Sequence, residues 1–96
     1  MILRICDNGH ERLEPASPER LMQVLAPEAV IADGTEITLA EGECWLTALA
    51  VGEPGSAAEL LMSGADGETP TVSGIASRPE ALRLFHEFLA ARGSLR

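Results

Sequence analysis

Four side chains in this sequence could act as nucleophile, soft metal ligand or neutral-pH base: Cys6, Cys44, His10 and His86. A structural zinc asks for four ligands, usually in close-spaced pairs. Cys6 and His10 are four apart, but Asn8-Gly9 between them signals a turn, and there is no second pair. No metal site is expected. Cys6 closes an apolar run and reads as a small core residue, with His10 in the following loop. A thiolate–imidazole couple of Cys6 with His10 or His86 would need a proximity that nothing in the spacing supplies. Glu41 and Glu43 pair two carboxylates at a turn, where water keeps acid–base perturbation small. Ser56 and Ser63 lack the glycine elbow of a hydrolase nucleophile. A phosphate loop that ends in lysine is excluded, because the chain has no lysine. The sequence therefore predicts no catalytic residue, no cofactor and no enzyme.

Charge says more. Seven bases, all arginine, face fifteen acids, for a net charge of −8. From Leu21 to Ser77 there is no base, against nine acids: Glu28, Asp33, Glu36, Glu41, Glu43, Glu53, Glu59, Asp66 and Glu68. Such a one-sign stretch is either a solvated face or a surface built to meet a basic partner. Direct contact with nucleic acid or an anionic membrane surface is disfavoured. With 3% aromatic residues and no tyrosine, there is no stacking platform for single-stranded nucleic acid.

At 96 residues the chain is expected to form one domain, 1–96, around one modest core. Its opening apolar run is too short for an export signal, and no stretch is long enough to span a membrane. A cytoplasmic protein with reduced thiols is the expectation.

The elements that would carry these residues can be placed from local pattern. Ile2–Cys6 reads as a strand, with a weaker return near Glu11–Glu14. Ser17-Pro18-Glu19 opens a helix whose stripe is Leu21, Met22, Val24 and Leu25, with Pro27 as its stop. Ala29–Ala32 and Thr35–Leu39 read as a hairpin around Asp33-Gly34, the return strand turning Ile37 and Leu39 one way and Glu36 and Thr38 the other. Glu41-Gly42 makes the next turn. Cys44–Val51 lacks alternation, which suits a central strand covered on both faces. Trp45 on it reads as a core anchor, with an interface residue as the alternative. Glu59–Ser63 suits a strand or a helical turn. Gly64–Gly67 turns the chain into Thr69–Ala76, an edge strand by its Pro70. Ser77-Arg78-Pro79-Glu80 is a capping box for a helix over Pro79–Ala91. Ala81, Leu82, Leu84, Phe85, Phe88 and Leu89 share one arc, and both phenylalanines are assigned to the core. The sum is an α+β domain: an antiparallel meander sheet with two helices, the C-terminal one packed on the sheet.

The Ser17-Pro18-Glu19-Arg20-Leu21 helix start, the Gly42–Val51 strand with Trp45-Leu46, and the Pro79-Glu80-Ala81-Leu82 to Glu87-Phe88-Leu89 helix together resemble a family of small bacterial immunity proteins. That family belongs to polymorphic toxin systems and is often paired with nucleic-acid deaminase toxins. The resemblance implies function by occlusion of a cognate toxin's active site, with no catalytic residues. An acidic face could meet such a toxin's basic cleft in place of phosphates. The expected partner-binding residues are Asp33, Glu36, Glu41, Glu43 and Trp45, with Leu60 and Met62 next in line. An acidic secretion chaperone or adaptor for an effector protein is the alternative, and a structural or regulatory homodimer stands beside both.

Overall fold

Apolar–polar alternation gives each strand one buried row. In β1 (Ile2–Asp7) the row is Leu3 and Ile5, in β3 (Glu36–Glu41) Ile37 and Leu39, and in β4 (Cys44–Ala50) Leu46, Ala48 and Ala50. β5 (Glu59–Asp66) adds Leu60 and Met62, and β6 (Thr69–Ser77) adds Ala76. Register aligns these rows: Leu3 is opposite Leu39, Leu39 opposite Leu46, Ala48 opposite Met62, and Leu60 opposite Ala76. The computed structural model describes residues 1–7, 9–25, 34–51 and 59–92. With β2 (His10–Pro15), the strands form one antiparallel sheet in the order β2-β1-β3-β4-β5-β6.

Two helices cover the buried row. α1 (Pro18–Leu25) sinks Leu21 and Leu25 into the core, and α2 (Arg78–Arg92) sinks Ala81 and Phe85. Both begin at serine caps: Ser17 Oγ accepts the Arg20 N–H at 3.1 Å, and Ser77 Oγ accepts the Glu80 N–H at 3.4 Å. Arg20 also reaches Glu14 of β2 at 2.9 Å, which ties α1 to the sheet edge. Arg83 pairs with Glu87 one turn on, on the exposed side of α2. The fold is α+β, and the C-terminal helix packs on the sheet.

Several local expectations change. Both edges of β3 are occupied, by β1 and by β4, so β3 is not the return arm of a hairpin through Asp33-Gly34. Its hairpin partner is β4, through Gly42-Glu43, where Gly42 takes the left-handed φ of +61° that tight hairpins favour. Gly34 and Thr35 bond to Ala50 instead, at 3.0 and 2.9 Å. The expected strand at Ala29–Ala32, Asp33 itself and the Pro27 stop lie outside the described residues. Glu59–Ser63 is strand, and β5 runs through Gly64 and Ala65 to Asp66, so the turn is Gly67-Glu68. Phe88 is only half-buried, unlike Phe85.

Candidate protein-binding face

Both helices bury their apolar residues against one side of the sheet, and strand register fixes what the other side carries. One row runs Pro15, Ile2, Ala40, Trp45, Ala65, Pro70, and every member is apolar. The next runs Leu13, Arg4, Thr38, Thr47, Ser63, Ser73, a band of hydroxyls in which Thr38 and Thr47 bond at 2.9 Å. The third runs Glu11, Cys6, Glu36, Leu49, Leu61, Ile75. Arg4 donates to Glu11 at 2.6 Å, and this hydrogen bond together with the carboxylate's charge pushes the guanidinium pKa above its ordinary value.

Among the described residues six large apolar side chains are exposed, and five of them, Ile2, Leu13, Trp45, Leu61 and Ile75, stand on this face; the sixth, Met22, is on α1. Trp45 is 37% exposed, so it is not the core anchor. β4 is covered on one face only: its inner row is small (Leu46, Ala48, Ala50), and the large ring stands on the outer one. Leu60 and Met62 are core residues, and Leu61 between them reaches the open face. Leu61 was hidden in the sequence because three apolar residues in a row show no side.

The expected acids are not gathered at one spot. Glu36 stands on the open face between Cys6 and Leu49. Glu41, five residues on, points to the helix side, where its carboxylate meets the Met1 amine at 3.0 Å. Glu43 lies in the β3–β4 turn, whose carbonyl accepts the Gly67 N–H at 3.1 Å, so Glu43 neighbours Asp66 and Glu68. Glu36 and the Glu43 cluster are therefore ~17–20 Å apart along the strands. Glu59, opposite Ser77, is a further acid on the open face that was not singled out from sequence. Asp33 lies outside the described residues.

Cys6 belongs to the open face rather than the core, and Cys44 donates its thiol to Asp66 at 3.0 Å. His10 begins β2, exposed, and His86 is half-buried on α2. Among the described residues no three His, Cys, Asp or Glu side chains are grouped to hold a metal, and no helix is long and apolar enough to cross a membrane.

The chain matches no protein-family model, no curated protein and no solved structure. The site is thus defined by its own geometry: a sheet face opposite the two helices with one apolar row, a hydroxyl band beside it, an apolar Leu49–Leu61–Ile75 group beyond the band, and acids at the ends of the strands.

Proposed function

We propose that this chain is a binding protein of the immunity or inhibitor kind. It holds a basic, nucleic-acid-targeting toxin domain against the open face of its sheet and occludes that domain's active site. The observation that supports this most is the gathering of exposed Ile2, Leu13, Trp45, Leu61 and Ile75 on one face. Exposed apolar side chains scattered singly need no explanation, whereas five of the six described ones gathered on a single face, in two groups with hydroxyls between them, support an interaction surface. Trp45 is the natural anchor, since tryptophan dominates interface energetics.

Charge supports a basic partner. Glu36 and Glu59 flank the Leu49–Leu61–Ile75 group, Glu43, Asp66 and Glu68 lie off the Trp45 row, and the whole chain carries −8. Such a rim steers a cationic cleft into contact, and the apolar groups hold it. The test is association with a candidate basic toxin domain, followed at several salt concentrations. Trp45→Ala with Leu61→Ser is expected to raise Kd a hundredfold or more, and salt to slow association. Unchanged binding by the double variant would refute the assignment of the face. The same apolar groups suit a secretion chaperone's grip on an extended effector segment. That alternative gains if the free protein is a stable dimer and binds unfolded effector rather than a folded toxin domain.

A further inference from the structure

The two edges of the sheet are built differently. β2 carries Glu11, Arg12 and Glu14, charges that discourage another strand from pairing there. β6 is the longest strand, nine residues, and carries no charge. Its helix-side row is Val72, Gly74, Ala76, in register with Gly64, Met62 and Leu60, so little side chain fills the space between β6 and α2. α2 packs over β3 to β6, and its Leu84, Phe88 and Ala91 border that space. The result is a mostly apolar cavity of about 190 Å³, open to solvent, lined by these three with Leu46 and Val72, and with Thr71 and exposed Glu87 as its polar members. A dry cavity of roughly 150 Å³ already accepts a benzene-sized group.

We propose that this cleft takes a short extended segment of a partner protein, which adds to β6 along Thr71–Ser73. The segment seats one large apolar side chain in the cavity and sets a lysine or arginine toward the acids of the neighbouring turn. The length is bounded from both sides: Pro70 has no N–H to offer, and Gly74, at φ +125°, breaks the extended backbone. That leaves a docking register rather than an open edge for sheet growth. Main-chain pairing supplies affinity in such strand addition, and the pocket supplies selectivity. Charge selects the occupant. Glu43, Asp66 and Glu68 share the end of the sheet next to this stretch, while Glu87 on the cavity wall is already paired with Arg83. A second copy of the chain would bring another −8 to the same place, which disfavours it.

The cleft lies across the sheet from the open face and is tested separately from it. The probe is a capped heptapeptide with lysine at both ends and a single leucine at the centre of a Thr/Val segment. Its controls replace the leucine by alanine or the lysines by glutamate. Each is titrated into the ¹⁵N-labelled full chain. Saturable shifts are expected at Thr71–Ser73 and along Leu84–Ala91, with affinity falling about tenfold or more for each control. Trp45→Ala should leave this binding intact, whereas Ala91→Phe should abolish it by filling the cavity. The peptide comparison decides the matter even if that variant does not fold. No binding at millimolar peptide, equal binding of all three peptides, shifts confined to Trp45, Leu61 and Ile75, or a free protein already paired through β6 would each overturn the proposal.

Discussion

Glu36 and Glu41 stand at opposite ends of β3 and on opposite faces of the sheet. They are five positions apart, and an odd spacing on a strand reverses the side chain's direction. Two acids that look alike in sequence therefore have different work. Glu36→Lys should slow association with a basic partner several-fold and leave stability within about 1 kcal/mol. Glu41→Ala, which removes the partner of the Met1 amine, should lower stability by about 1–3 kcal/mol and leave the association rate unchanged. Stopped-flow association and urea melts of the two variants separate the roles.

Phe85 is fully buried where α2 meets the sheet. Phe85→Ala should cost about 3–5 kcal/mol as a core truncation. Phe88→Ala, at a half-buried position on the β6–α2 cleft, should cost clearly less. Denaturant melts of both would check the ranking, and a loss below about 1 kcal/mol for Phe85→Ala would mean that α2 is not docked as described.

Gly64 faces the core at the point where β5 and β6 lose register. A Cβ there would stand 3.0 Å from the Trp45 carbonyl oxygen and 3.1 Å from both Leu46 Cδ1 and Thr71 Oγ1. The carbonyl belongs to a central strand and has no room to retreat. Gly64→Ala should therefore destabilise by about 1–3 kcal/mol through overpacking, read as a fall in urea midpoint with an unchanged slope.

Cys6 is level with Glu36 and Cys44 with Glu41, so the two thiols are ~17 Å apart along the sheet. A disulfide needs Cα atoms within about 7 Å. Both thiols should react with a thiol reagent in protein unfolded without reductant. A mass two units low with no reactive thiol would contradict the placement of β1 and β4.

The elements easiest to read in the sequence were those with a local device of their own. Ser77 and Glu80 announced α2, Ser17-Pro18 announced α1, and Ile37 and Leu39 showed the buried side of β3. The Asp33-Gly34 hairpin misled because turn chemistry is local, while β3's two edges are claimed by Ile2–Cys6 and Cys44–Leu49 from elsewhere in the chain. The candidate site was the least legible. Trp45-Leu46 and Leu60-Leu61-Met62 are apolar on both sides of the strand, and a sequence does not say which side the helices cover. Ile2, Leu13 and Ile75 were missed for the same reason: their exposure follows from where α1 and α2 lie, not from their neighbours in the chain.

The claim that the open face is the docking surface is tested most directly by the emission of Trp45, the chain's single tryptophan. The chain would be titrated with a candidate basic toxin domain made without tryptophan, and its acrylamide quenching followed. The account predicts a blue shift that saturates with complex formation and a several-fold loss of quenching, as the ring passes from 37% exposed to covered. A complex that forms stoichiometrically while Trp45 keeps its emission and stays as open to acrylamide as in the free protein would contradict it.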